Sequence, residues 1–117
     1  MQTLTELTPD EQLALVGLII FVVDADGQAS TEEMKEFRAV AAEMGRKEFD
    51  AAFRQAKQRF SVQGDAVAFA RTVERPWARE LILTVLHDLA QADGISPEEH
   101  ALIDAVGAHW GLRTVSR

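Results

Sequence analysis

The stretch Asp24-Ala25-Asp26-Gly27-Gln28-Ala29-Ser30-Thr31-Glu32-Glu33 returns near the end of the chain as Gln91-Ala92-Asp93-Gly94-Ile95-Ser96-Pro97-Glu98-Glu99. Both copies read Ala-Asp-Gly, a short gap, then Ser-x-Glu-Glu. From Ser30 and Ser96 onward they stay in register, so that Ala39 to Gly45 lines up with Ala105 to Gly111. Asp-Gly is turn chemistry. Ser-x-x-Glu opens a helix by reciprocal capping of the first free N–H groups. The same event is therefore written twice: a helix ends, an acidic turn follows, a new helix starts. This predicts two pseudo-symmetric helix-turn-helix units with carboxylates at each turn, over about 9–45 and 76–111, joined by connecting helices over about 46–75.

The helices follow in order. Thr8-Pro9-Asp10-Glu11 is a capping box with proline at the first helical position. Every residue from Leu13 to Val23 is then apolar or Gly. A helix apolar all round belongs in the middle of a bundle. This run is too short to span a bilayer, which needs about 20 residues. Ser30-Thr31-Glu32-Glu33 opens a second helix, with Met34, Phe37, Val40, Ala41 and Met44 at helical spacing and Gly45 as its stop. A third spans about Lys47 to Phe60, with Phe49, Phe53, Ala56 and Phe60 on one stripe. Ser61-Val62-Gln63-Gly64-Asp65 reads as a turn, and a short helix follows from about Ala66 to Val73. Pro76 opens a helix to about Ala92 that buries Trp77, Leu81, Ile82, Val85, Leu86 and Leu89. Ser96-Pro97-Glu98-Glu99 starts the last, lined by Leu102, Ile103, Val106 and Trp110 and ended by Gly111. Leu112 to Arg117 reads as a loose tail. No segment alternates apolar and polar over strand length. The expectation is an all-α, single-domain bundle of five to six helices over 1–117.

Charge is unevenly spread. The net charge is −7; residues 1–34 hold seven acids and no Lys or Arg, 35–79 hold ten bases against six acids, and 80–117 hold six acids against two bases. Both Asp-Gly units are acidic and the joining segment is basic. An acidic chain is a poor general binder of polyanions, so nucleic acid is not expected as a partner. The absence of Cys excludes disulfides, thiolate metal sites and Cys nucleophiles, and suits a reducing, cytoplasmic setting. No signal peptide is expected.

The doubled Ala-Asp-Gly…Ser-x-Glu-Glu, each copy after an apolar helix and before a helix ending in Gly, resembles the tellurite-resistance TerB family and its TerB-like relatives over roughly residues 10–112. The resemblance implies an all-helical fold on a duplicated unit and a part in bacterial stress responses to metal and oxyanion toxicity. It also implies divalent-cation binding through acidic residues, docking onto membrane-linked or other stress proteins, and no catalytic activity. Its acidic positions fall on Asp26 and Glu33 in the first unit and on Asp93 and Glu99 in the second. The second turn is one residue shorter, so the two turns differ in geometry.

From the residues themselves, the candidate is a hard-cation site for Ca²⁺, Mg²⁺ or Mn²⁺, which take carboxylate and carbonyl oxygens. Asp24, Asp26 and Glu33 offer oxygens around one turn. With Gly27 at the sixth position of an EF-hand loop, Asp24, Asp26 and Glu33 fall at three, five and twelve, but position one is Val22. In the second copy Leu89, Gln91 and His100 fall at one, three and twelve. Neither copy is an EF-hand, and a site would have to be assembled differently, for instance shared between the turns. Glu32 and Glu36 repel at i,i+4, which invites a neighbouring positive charge. Plain structure competes with this account. Asp-Gly makes turns without metal, and first-turn glutamates are favoured by the helix dipole by about 0.3–1 kcal/mol.

Other chemistry is thinner. His100 and Asp104 share a helix face at i,i+4 and could join a zinc site, but no third ligand is visible. His87 and His109 read as surface or interface residues, and Ser30 and Ser96 as caps, since no base is placed by spacing. No phosphate loop or dinucleotide fingerprint occurs. Lys47, Arg54, Lys57 and Arg59, with Arg71, Arg75 and Arg79, form a basic stripe that can dock an acidic partner or an anionic membrane surface; the competing account is a solvated helix face. These features together point to a non-enzymatic interaction domain with weak divalent-cation binding. The alternative is a metal-free scaffold that docks an acidic partner through its basic middle. A hydrolase using paired carboxylates would need a deep pocket with perturbed acids, which nothing in the sequence demands.

Overall fold

The computed structural model describes residues 3–24, 31–91 and 97–111. Among them are six α-helices and no strand: α1 (Pro9–Asp24), α2 (Thr31–Met44), α3 (Arg46–Arg59), α4 (Gln63–Ala70), α5 (Pro76–Gln91) and α6 (Pro97–His109), preceded by a single 3₁₀ turn at Leu4–Glu6. The all-helical bundle expected from the periodicity is what forms.

The bundle is built round α1. Leu13, Ala14, Leu15, Val16, Leu18, Ile19, Val22 and Val23 are all buried. A helix without a polar face can satisfy its side chains only if neighbours cover every side. Here α3 packs on it most extensively, then α4 and α5, with α6 also in contact. Close approach is made possible by Gly17. A Cβ there would stand 2.5 Å from Cε2 of Phe60 and 2.7 Å from its Cδ2. The aromatic ring occupies the space that a side chain on α1 would need.

The outer helices bury one stripe each, as their sequences require. Val40, Ala41 and Met44 of α2 are buried, with Phe37 half-buried edge-on against Phe49 and Phe53, which stack on each other. On α5 the deepest residues are Ala78, Ile82, Leu86, Leu89 and Ala90, while Trp77, Leu81 and Val85 pack at its margin. Leu102, Ile103, Val106 and Trp110 of α6 are all buried. The last of these is tied down by its indole N–H, which donates to the carbonyl of Ala70 at 3.0 Å.

Two segments differ from the sequence expectation. α4 begins at Gln63, three residues before the expected Ala66, and it takes in Gly64. The reason is Asp65, whose carboxylate accepts from the N–H groups of Ser61 (2.9 Å) and Val62 (3.3 Å) and so caps the helix from inside its first turn. The N-terminal 3₁₀ turn was not anticipated at all. It places Leu4 and Leu7 in the core, and it is closed by the N–H of Thr3 donating to Oε1 of Glu6 at 2.8 Å. Gly45 separates α2 from α3 with φ 108°, and Gly111 closes α6 with φ 70°, both outside the usual range of L side chains.

Candidate functional site

The acidic corners begin where α1 and α5 end. Val22 and Val23 hold the last turn of α1 in the core, and Leu89 and Ala90 do the same for α5. Each helix therefore delivers its C-terminal carbonyls, the negative end of the helix dipole, to a fixed place. Neither helix has a basic residue in its last turn. α3 ends in Lys57 and Arg59, whereas α2 and α4, which are followed by no Asp-Gly, share the lack of a basic residue in the last turn.

The predicted ligands divide unevenly around these corners. Asp24 is the last residue of α1 and Glu33 lies in the first turn of α2; only their backbone positions are described. Asp26 and Asp93 lie outside the described residues. Glu99 is described, and it is only 1% exposed in the first turn of α6. No group of three His, Asp or Glu side chains able to hold a metal occurs among the described residues. His100 and Asp104 do meet on the surface of α6, Nδ1 to Oδ2 at 3.2 Å, as their i,i+4 spacing implied.

The burial of Glu99 has a counterpart at the other end of the chain. Thr8-Pro9-Asp10-Glu11 and Ser96-Pro97-Glu98-Glu99 are the same start signal, and their third helical residues are the buried charged side chains of the described core. Around Glu11 the arrangement is fully visible. Its carboxylate accepts from the N–H of Thr8 at 2.8 Å, and the N–H of Glu11 donates to the Thr8 hydroxyl at 3.2 Å. Arg75 then grips both carboxylate oxygens, Nε to Oε2 at 2.8 Å and Nη2 to Oε1, and Nη2 also donates to the carbonyl of Glu6 at 3.2 Å. The guanidinium lies over the Trp77 ring, 4.5 Å from its centroid. The bonds from Arg75 hold the Glu11 carboxyl below its usual pKa, against the opposing effect of burial and with help from Thr8. In turn the carboxylate raises the pKa of Arg75.

This pair corrects the reading of the basic stripe. Arg75 has a partner inside the fold: it neutralises a buried glutamate sixty-four positions away. Arg79 is also engaged, donating from Nε to the carbonyl of Val73 at 2.7 Å beside the Trp110 ring. Arg71 donates to Nδ1 of His109 at 3.2 Å. No local pattern in the sequence announces such long-range partners. The available signal was the capping glutamate in a helix start that leads straight into an apolar run.

No helix among the described residues is long and apolar enough to cross a membrane. Comparison with curated proteins and with solved structures returned no match. A family model described as "Tellurite resistance protein TerB" matches residues 12–117, from the first turns of α1 to the end of the chain. On that match, which takes in both acidic corners and every α-helix, the chain belongs to the TerB family.

Proposed function

We propose that this TerB-family domain binds a divalent cation of the hard class, Ca²⁺, Mg²⁺ or Mn²⁺, at its acidic corners and acts as a non-enzymatic interaction module in a bacterial response to metal or oxyanion stress. The observation that carries the reading is the state of the two helix ends. α1 and α5 are each followed directly in the sequence by Ala-Asp-Gly, and neither helix has a basic residue in its last turn. Carbonyl dipoles and turn carboxylates therefore add up to negative potential with no side-chain cation of the last turn to offset it. The donor set is all oxygen, which suits hard cations, and the chain has no Cys to favour a softer one.

Asp24, Asp26 and Glu33 at the first corner, with Asp93 and Glu99 at the second, are the residues that would hold the ion. Without it their charges repel. With it, α1 is drawn toward α2 and α5 toward α6, and the surface offered to a protein partner, membrane-associated or not, changes accordingly. The test is thermal unfolding with each ion in turn. At about 100 times its dissociation constant the ion should stabilise the fold by about 2.7 kcal/mol, and Asp26→Asn with Asp93→Asn should remove the gain. A double variant that keeps the whole shift acquits these ligands. No shift with any of the three ions leaves the metal-free scaffold.

A further inference from the structure

From Ala51 to Val73 the chain carries four cations, Arg54, Lys57, Arg59 and Arg71, against a single acid. That acid is Asp65, whose carboxylate is already engaged by the N–H groups of Ser61 and Val62. In a chain of net charge −7 this is a local reversal of sign. Arg54 and Lys57, one turn apart on the outer side of α3, are exposed, and no carboxylate of the described residues lies within ion-pair distance of either. Beside Lys57 a cavity of about 410 Å³ opens, lined by Ile20 and Phe21 of α1 and by Ala56, Lys57, Phe60 and Ser61, a mixed polar and apolar set. Arg54 lies one turn before Lys57 on α3.

We infer that this groove is a docking site for an acidic protein segment that carries one large apolar side chain. The apolar anchor enters between Phe21 and Phe60, and flanking Asp or Glu residues meet Lys57 and Arg54. The volume falls in the lower part of the ~300–1,000 Å³ range of binding clefts, and a pocket of mixed lining, with apolar side chains beside a cation and a hydroxyl, gives an anchored peptide both contact area and orientation. Other occupants fit this surface less well. A bilayer would need apolar side chains standing out from the surface, and the exposed large apolar residue of the described chain is Val62 alone. A second copy would have to offer the same kind of anchor among acids, and Val62 lies in the stretch that is nearly free of them. A polyanion such as nucleic acid carries no large apolar side chain to set against Ile20, Phe21 and Phe60.

The inference does not depend on cation binding, so the experiment is run in chelator. The probe is a fluorescein-labelled synthetic peptide in which Asp and Glu flank one Phe, titrated with the full chain and read by fluorescence anisotropy. Saturable, salt-sensitive binding is expected. Arg54→Glu with Lys57→Glu should weaken it by about tenfold or more. Ser61→Trp, which changes an exposed residue and fills the mouth of the groove, should do the same, as should a peptide with Ser in place of Phe. Each variant is checked by its melting curve. The inference is overturned if the peptide does not saturate, if binding is indifferent to these changes, or if phosphatidylserine vesicles bind the chain through Lys57 and the peptide does not.

Discussion

Gly17→Ala sets two known effects against each other at one atom. Replacing glycine by alanine inside a helix favours the helix by about 1 kcal/mol. At this position the new methyl would lie 2.5 Å from a ring carbon of Phe60, where carbon atoms prefer about 3.5–4.0 Å. The ring has to retreat by about 1 Å, yet it is only 8% exposed and is packed on Phe69 with centroids 5.4 Å apart. Overpacking of this kind costs about 1–3 kcal/mol, so a net loss of about 1 kcal/mol is expected. In urea, with a slope near 2 kcal/mol per molar, the midpoint should fall by about 0.5 M. The decisive measurement is the double-mutant cycle with Phe60→Leu. The smaller side chain costs stability alone but makes room for the methyl, so the two changes should be non-additive by about 1–2 kcal/mol. If Gly17→Ala stabilises the protein by the full helix-propensity gain, or if the two effects simply add, then the close packing of α3 on α1 through this ring is wrong.

Other expectations are checked by the same unfolding assays. The carboxyl of Glu11 has a lower pKa folded than unfolded, so its contribution is complete above the ordinary glutamate value of 4.5 and is lost as the pH falls through the folded value; the melting temperature of Glu11→Gln should therefore depend less on pH below about 4.5 than that of the parent. Trp110→Phe removes the indole donor from the buried carbonyl of Ala70, and chemical denaturation should show a loss of about 1–3 kcal/mol. Gly45→Ala forces a side chain into φ 108° and should lose about 1–3 kcal/mol. Its Cβ also approaches Oε1 of Glu48, but that is the end of a flexible side chain, so adding Glu48→Ala should restore little of the loss.

What could be read in the sequence was the part governed by short-range rules. The starts of α1, α2, α5 and α6 are each announced by a cap, a proline or both, and the Ser or Thr with Glu three places on falls within a residue of the helix start in three of them. The central place of α1 follows from having no polar side. The start of α4 was missed because Gly64 suggested a break, while the carboxylate of Asp65 supplies the missing partner from within the helix. The 3₁₀ turn is not legible although Thr3 and Glu6 carry the same spacing as the other starts; it is only three residues long, too short for any hydrophobic period to show. At the candidate site the acids themselves were legible. The partner of Glu11 was not, because Arg75 looks in sequence like one more member of a basic run, and only the folded chain brings it to a buried carboxylate. The same holds for the groove on α3. Its cations could be counted in the sequence, but its lining is drawn in part from α1, more than thirty positions earlier.

The central position of α1, with contacts to α3, α4, α5 and α6, makes the remainder of the molecule dependent on it. Strip away residues up to Asp24 and the other helices would keep their propensities but lose the common surface against which their apolar stripes are sorted. Such a remnant would collapse without a unique arrangement, and a synthetic α1 added back would act as its template. The first copy of the repeated acidic motif thus follows directly on the segment that gives the other helices their common surface.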